Sequence, residues 1–119
     1  MARFVLVDDS KVARNFLKTM LEGAGHQVVG EGENGLEGFD LYREHKPDII
    51  ILDVVMPILT GIDCLKQIIA DSPEARVVMV TSVGKDKLAE EATDAGAKAI
   101  VVKPLEEDSF LPLITSILE

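Results

Sequence analysis

Several features that mark common protein classes are scarce in this sequence of 119 residues. It has one cysteine, Cys64, and no tryptophan, so an internal disulfide is excluded and a reducing compartment is favoured. No apolar run approaches the roughly 20 residues that are needed to cross a bilayer. The first ten residues hold a short apolar run and then two aspartates, a pattern too short and too acidic for a signal peptide. We therefore expect a cytoplasmic protein without membrane insertion.

Basic residues are also few. The chain has 12 lysines and arginines against 21 aspartates and glutamates, which gives a formal net charge of −9. Because a nucleic-acid-binding surface needs clustered basic side chains, direct binding to nucleic acid is not expected. The surplus of acid favours a basic partner surface or a bound cation instead. With 47% hydrophobic residues, the chain is predicted to form one domain over residues 1–119.

Short apolar runs alternate along the chain with amphipathic segments. The runs that predict strands cover residues 4–7, 27–30, 48–52, 77–80 and 99–102. The other segments predict helices that begin near residues 10, 35, 61, 85 and 108. Strands that are apolar throughout are typical of a parallel sheet covered on both faces. The sequence therefore predicts an α/β fold: a doubly wound, five-stranded parallel sheet in the flavodoxin-like order 2-1-3-4-5, with helices on both faces.

Two of the predicted helices have distinctive faces. The inward stripe of the first is predicted to comprise Ala13, Phe16, Leu17, Met20 and Leu21. In the fourth, Leu88 is the only large apolar residue, and alanines otherwise face inward. Alanines favour a helix but bury little area, so this helix should form and yet be weakly anchored. Weakly anchored elements are the ones that move in switches.

Polar residues stand where four of the predicted strands end. Asp8 and Asp9 follow the first strand, and Asp53 ends the third. Thr81 ends the fourth strand, and Lys103 follows the fifth. Ligands of an open parallel sheet bind at the carboxyl ends of its strands, so three carboxylates, a hydroxyl and an ammonium group should converge there. Such an all-oxygen acidic group selects a hard divalent ion, and Mg²⁺ is the ion that we expect.

Each of these residue types has a chemical role in phosphoryl transfer. Asp8 and Asp9 would hold the metal, and Asp53 would be the nucleophile that becomes an acyl phosphate. Lys103 would pair with the phosphate, and Thr81 would donate a hydrogen bond to it. Taken singly, each residue has an ordinary explanation, such as a helix N-cap or a turn residue. Their combination at all the appropriate strand ends favours the functional interpretation.

This ordered set resembles the receiver domain of two-component response regulators, of the single-domain chemotaxis type. The matching residues are Asp8, Asp9, Asp53, Met56, Pro57, Gly61, Thr81, Lys103 and Pro104. The resemblance implies a phosphorylation-activated signalling switch in which Asp53 takes a phosphoryl group from a phosphohistidine of a sensor histidine kinase. It implies no enzymatic activity beyond self-phosphorylation and slow autodephosphorylation.

The resemblance also implies how the metal is held and where the switch is read. The implied ligands of Mg²⁺ are Asp9, Asp53 and the backbone carbonyl of Val55, with Asp8 acting mostly through water. The peptide bond between Lys103 and Pro104 would be cis. A downstream target would read the face formed by the fourth helix, the fifth strand and the fifth helix.

Three positions depart from the pattern of the family. Ile100 stands where relatives often carry an aromatic residue that swings inward when the threonine moves. An isoleucine has no polar tip to carry from solvent to interior, so we expect the switch to be coupled through backbone or loop movement. Val55 and Val83 are apolar where relatives often carry polar groups. Apolar side chains give an attacking water no partner, which predicts a long-lived acyl phosphate on Asp53.

The residues leave other interpretations open. The chain could be a phosphorelay intermediate that passes phosphate to a histidine phosphotransfer protein, or a receiver excised from a longer regulator. A phosphatase of the haloacid dehalogenase type needs a second acid where Val55 stands. A flavodoxin-like FMN carrier shares the fold, but Asp8 and Asp9 would repel the flavin phosphate. His26 and His45 lie away from the acidic strand ends and are interpreted as solvated surface residues.

Overall fold

The computed structural model describes residues 1–82 and 86–119, with the side chains of all of these except residues 86–88. The strands are β1 (Arg3–Val7), β2 (Gln27–Gly32), β3 (Ile49–Asp53), β4 (Val77–Thr81) and β5 (Ala99–Val102). The helices are α1 (Lys11–Gly23), α2 (Gly35–His45), α3 (Gly61–Asp71), α4 (Asp86–Asp94) and α5 (Glu107–Leu118). All strand pairs are parallel, and the order across the sheet is β2-β1-β3-β4-β5. The predicted fold class is confirmed.

The side chains of each strand alternate between two apolar cores, one on each face of the sheet. Phe4 and Leu6 of β1 pack in the core that α1 and α5 cover. Val5 and Val7 of the same strand pack in the core that α2, α3 and α4 cover. Because both faces are covered, β3 and β4 are buried at every position, which explains why they lack the polar alternation of a half-exposed strand.

The buried stripe of α1 differs from the prediction at Phe16, and Ala13 is only partly buried. Leu17, Met20 and Leu21 are buried as predicted, but Phe16 is 52% exposed. Arg14 is buried instead. Positions 14, 17 and 21 fall on one face of a helix with 3.6 residues per turn, so the arginine shares the buried face with these two leucines. The prediction for Phe16 was wrong because this residue was assigned to the inward stripe on its hydrophobicity.

Side chains cap the first three helices. Ser10, Asn34 and Thr60 each accept a hydrogen bond from the backbone amide three residues later, at distances of 3.2, 2.9 and 3.2 Å. These bonds satisfy amides that have no partner within the helix. The caps therefore fix where α1, α2 and α3 begin.

Cys64 is a packing residue on α3. It is 0% exposed, and burial raises the pKa of its thiol to about 12. A side chain at Gly38 of α2 would lie 3.2 Å from the Cys64 sulfur, so α2 and α3 approach closely there. The contact depends on a small residue on each helix.

The expectation for α4 is tested only in part. Ala92 is buried against the core that α2, α3 and α4 share, as an inward-facing alanine should be. Leu88 belongs to the residues whose side chains are outside the description. The weak anchoring of α4 therefore stays a prediction.

Candidate functional site

The carboxyl ends of β1 and β3 bring three aspartates together. The two strands are neighbours, and Val7 pairs with Leu52, so Asp8 and Asp53 lie side by side. One carboxylate oxygen from each of Asp8, Asp9 and Asp53 lies within 4.8 Å of the others. Asp8 and Asp53 are buried, whereas Asp9 faces solvent. The structure thus brings together the three carboxylates that were expected at this edge of the sheet.

Lys103 reaches the acidic cluster from the end of β5. Its Nζ lies 3.0 Å from Oδ2 of Asp8 and 3.8 Å from Oδ2 of Asp53. The peptide bond between Lys103 and Pro104 is cis, and the N–H of Lys103 donates to the carbonyl oxygen of Thr81 at 2.7 Å. The ammonium group therefore offsets part of the negative charge of the two buried aspartates.

The surroundings of Asp53 disfavour its charged form. Burial raises the pKa of Asp53, and the negative charges of Asp8 and Asp9 raise it further. The ammonium of Lys103 and the backbone N–H of Val55, which donates to the Asp53 carboxylate, lower this pKa. The net direction is upward with burial as the largest cause, so the charged form of Asp53 is disfavoured. A cation among the carboxylates would favour the charged form again.

The donor set of the cluster fits a hard divalent cation. All three side chains offer carboxylate oxygens, which Mg²⁺ prefers to nitrogen or sulfur. Separations of up to 4.8 Å between these oxygens approach the roughly 4 Å between opposite ligands of a six-coordinate Mg²⁺. The exposed side of Asp9 leaves room for the waters that this ion retains.

Asp8 is anchored at each of its polar groups. Its N–H donates to the carbonyl oxygen of Gly32 at 3.0 Å. Its Oδ1 accepts from the N–H of Ser10 at 2.8 Å, and its Oδ2 accepts from Lys103. Its carbonyl oxygen accepts a hydrogen bond from Nη1 of Arg14. The position of this aspartate is therefore set by four separate parts of the chain.

Arg14 was not identified from the sequence as a buried residue of this site. It is 8% exposed, and its Nε donates to Oε1 of Glu31 on β2 at 3.1 Å. An arginine on an amphipathic helix is ordinarily solvated. The signal that points to burial is its spacing, three residues before Leu17 and seven before Leu21 on the apolar face.

The remaining predicted site residues lie at different depths. Thr81 is 1% exposed at the end of β4, beside the end of β5. Ile100 is partly buried on β5 and packs against the core that α2, α3 and α4 cover. Val55 follows Asp53 by two positions, and its side chain is 59% exposed. Val83 lies outside the described residues.

The loop after Asp53 packs closely against it. The N–H of Gly61 donates to the carbonyl oxygen of Val54 at 3.0 Å. A side chain on Gly61 would collide with the carbonyl oxygen of Asp53, so this close approach requires glycine. The start of α3 thereby holds the main chain of Asp53 in place.

Comparisons with known proteins show the same architecture. Residues 4–115 match the family described as "Response regulator receiver domain". The chemotaxis protein CheY of Thermotoga maritima is 36% identical over 115 residues, which cover 97% of this chain and 96% of that protein. Protein CcdB of Bacillus subtilis is 35% identical over 118 residues, which cover 99% and 98% of the two chains. A chain of the CheX–CheY–BeF3–Mg complex from Borrelia burgdorferi superimposes with a TM-score of 0.95 at 31% identity, covering 98% of this chain and 89% of that one.

These likenesses extend along nearly the whole sequence and include the strand order. Receiver domains are signalling proteins rather than conventional enzymes, and phosphorylation-activated switching is their general function. They generally bind Mg²⁺, and those of the CheY type interact with histidine kinases and downstream targets. The chain belongs to the response regulator receiver domain family and is CheY-like.

Proposed function

We propose that this protein is a signalling switch in which Asp53 accepts a phosphoryl group from a sensor histidine kinase, with Mg²⁺ bound. The observation that carries the proposal is the cluster at the carboxyl end of the sheet. Asp8 and Asp9 lie within 4.8 Å of buried Asp53, and Lys103 lies 3.8 Å from it. Phosphorylation would change the face formed by α4, β5 and α5 and thereby control a partner protein.

In the proposed reaction, a carboxylate oxygen of Asp53 attacks the phosphorus atom of a phosphohistidine. The P–O bond of an acyl phosphate forms and the P–N bond breaks, with its electron pair left on the imidazole of the donor. Lys103 lies where its ammonium group can pair with the oxygens of the incoming phosphoryl group. Mg²⁺ held by Asp8, Asp9, Asp53 and the carbonyl of Val55 would supply further neutralisation of charge.

Thr81 and Ile100 are the proposed switch residues. Thr81 ends the strand next to β5, so its hydroxyl could donate to an oxygen of the new phosphate. The Thr81 carbonyl already accepts from the N–H of Lys103 at 2.7 Å, which couples the ends of β4 and β5. Since Ile100 has no polar tip, movement of the backbone and loops at these strand ends would carry the signal.

The proposed partners are a sensor histidine kinase and a downstream target protein. A chemotaxis-type target is supported by the likeness to chemotaxis proteins. A phosphorelay intermediate, which passes its phosphate to a histidine phosphotransfer protein, is the second candidate because Ile100 replaces the usual aromatic residue. Membership of the receiver family leaves no basis for the phosphatase or FMN carrier.

We further propose that residues 1–119 form a single receiver domain and that the protein works in the cytoplasm. The family match over residues 4–115 supports the first point. Among the described residues, no helix combines the length and the apolar character that spanning a membrane requires.

Incubation with acetyl phosphate and Mg²⁺, followed by intact-mass measurement, tests the acceptor role. The wild-type protein should gain one transient phosphoryl group, and Asp53→Asn should gain none. Asp48→Asn is the matched control, because Asp48 lies at the opposite end of the sheet and should not affect the adduct. Absence of the adduct in the wild type, or its presence in Asp53→Asn, would overturn the proposal.

The proposed lifetime of the acyl phosphate depends on Val55 and Val83. The exposed Val55 side chain offers an attacking water no hydrogen bond, so the acyl phosphate on Asp53 should be hydrolysed slowly. Val55→Asn should shorten the half-life by about tenfold, which is roughly the effect of one hydrogen bond. The decay of the adduct by mass measures this, and equal rates in the two proteins would contradict it.

A further inference from the structure

We propose that Arg14 is a positioning residue for the acidic site: its guanidinium group fixes the main chain between Asp8 and Asp9 so that both carboxylates can hold a divalent cation. This rests on the proposed function, which assigns Mg²⁺ to the cluster. Arg14 acts through the backbone of Asp8, since its Nη1 donates to the carbonyl oxygen and not to the carboxylate.

Arg14 stands where an arginine is costly to place. It lies on the buried face of α1 with Leu17 and Leu21, and it is 8% exposed. A buried guanidinium group is tolerated only when its donors are paired. Nη1 is paired with Asp8 and Nε with Glu31. The guanidinium group therefore bridges the loop after β1 and the neighbouring strand β2.

The carbonyl of Asp8 is the atom through which this bridge would act. It belongs to the planar peptide that joins Asp8 to Asp9, and a peptide plane moves as one unit. Asp8 has further anchors, at its N–H to Gly32 and at its carboxylate to the N–H of Ser10. Asp9 is exposed. Fixing the peptide plane therefore matters most for the direction in which the Asp9 side chain points.

Glu31 balances the charge that this arrangement introduces. A cation close to a metal site opposes the binding of the metal, but the carboxylate of Glu31 lies 3.1 Å from Nε of Arg14. Lys18 approaches Glu31 from the rim, at 3.6 Å. Two effects of losing Arg14 consequently have opposite signs. Removing its positive charge would strengthen Mg²⁺ binding, whereas removing its grip on Asp8 would weaken it.

Calorimetric titration with MgCl₂ alone shows which of the two effects prevails. Arg14→Met should weaken Mg²⁺ binding by about tenfold, the lower end of the losses seen when residues behind metal ligands are removed. Lys18→Met is the matched control, because it also takes a partner from Glu31 but does not contact Asp8. It should bind Mg²⁺ within about twofold of the wild type. Unchanged or tighter binding by Arg14→Met would overturn the proposal.

Arg14→Lys keeps the experiment decisive if Arg14→Met fails to fold. Lysine retains the charge but has no guanidinium fork to reach both Asp8 and Glu31. It should weaken Mg²⁺ binding in the same direction. Wild-type affinity in Arg14→Lys would show that the two-sided contact of the guanidinium group is not needed for Mg²⁺ binding and would overturn the positioning role.

Amide hydrogen exchange in EDTA gives a readout that does not depend on the metal. The amide of Ser10 donates to Oδ1 of Asp8, so its exchange reports on the position of that aspartate. Exchange should be about tenfold faster in Arg14→Met than in the wild type or Lys18→Met, and equal rates would overturn the proposal. If the wild type binds no Mg²⁺, the proposed function loses its metal, and the exchange rates alone decide the role of Arg14.

Discussion

The two ends of the sheet treat acidic side chains in opposite ways. At the amino end, the exposed Asp48 accepts from the N–H of Arg3 at 2.7 Å, and its own N–H donates to the carbonyl oxygen of Arg3 at 2.8 Å. This aspartate ties the starts of β1 and β3 together. At the carboxyl end, Asp53 is buried next to Asp8, and its pKa is raised by that burial and that charge. At this end, the carboxylates of Asp8 and Asp53, which follow β1 and end β3, repel each other.

This difference shows how the fold separates stability from chemistry. The acid at the amino end completes hydrogen bonds, and so it stabilises the sheet without further help. At the carboxyl end, burial and the neighbouring carboxylates disfavour the charge of Asp53, and a cation that bound there would stabilise the folded state by mass action. The apolar burial of β3 and β4 offsets the cost of holding the Asp53 charge there. The proposed chemistry is thus located where the fold disfavours a charged side chain.

Lys103→Met should have the largest effect on this balance. It removes the ammonium group beside Asp8 and Asp53 while keeping most of the aliphatic side chain. Without metal we expect the free energy of unfolding to fall by about 2 kcal/mol, less than for a fully buried pair, because the lysine side chain is 29% exposed and partly screened by solvent. Urea denaturation in EDTA measures the loss, and Mg²⁺ should restore part of it. Wild-type stability in EDTA would contradict the expectation.

Asp53→Asn should have the opposite sign. It removes the charge whose burial and repulsion raise the pKa of Asp53, so the metal-free protein should gain about 1 kcal/mol in its free energy of unfolding. The same denaturation series measures the gain. Replacing the proposed acceptor would then raise stability at the expense of activity.

Asp48→Asn is the matched control at the amino end. The amide can still accept from the N–H of Arg3, but it no longer does so as a charged group. We expect a loss of about 0.5 kcal/mol, opposite in sign to the effect of Asp53→Asn. Shifts of the same sign at both ends would contradict the contrast between them.

His26 gives the smallest expected effect, through pH. Its Nδ1 accepts from the N–H of Ala2 at 3.1 Å, and its ring packs edge-on against Phe4. Burial, and then the charge of the α-amino group, lower the pKa of His26 below its usual 6.5. The stabilisation by neutral His26 is therefore present above about pH 6.5 and is lost as the pH falls through the folded-state pKa.

Comparison with His26→Gln isolates this contribution. Between about pH 7.5 and pH 5, the stability of the wild type should fall relative to the variant by a few tenths of a kcal/mol, as befits one partly exposed hydrogen bond. Urea denaturation at each pH provides the two curves. A constant difference between the proteins across this range would contradict the assignment.

The fold was predictable because its strands carry a strong local signal. Val77 to Val80 and Ile49 to Leu52 are apolar without interruption, and this pattern specifies a strand that is covered on both faces. Once the order of the strands is known, their carboxyl ends must meet, so the juxtaposition of Asp8 with Asp53 follows from topology. No side-chain geometry was needed for that step.

Side chains that depend on tertiary contacts were not predictable in this way. Arg14 can be buried because its guanidinium group donates to Glu31 and to the carbonyl oxygen of Asp8. The hydrophobic pattern of α1 does not reveal either partner. Phe16, two residues further on, points to nearly the opposite side of α1 from Arg14 and is 52% exposed. His26 was interpreted as a solvated surface residue, but it is partly buried against Phe4, a contact between β1 and the residue that precedes β2.

Cys64 makes the protein convenient for spectroscopy. Thiol-reactive dyes attack the thiolate, and the one native thiol is fully buried with a pKa of about 12. The folded protein should therefore not react with maleimide labels, and Cys64 need not be replaced before labelling. A cysteine at an exposed position of α4, as in Glu90→Cys, would carry a fluorophore alone. Its emission would report in real time on the face formed by α4, β5 and α5, which we propose to change on phosphorylation.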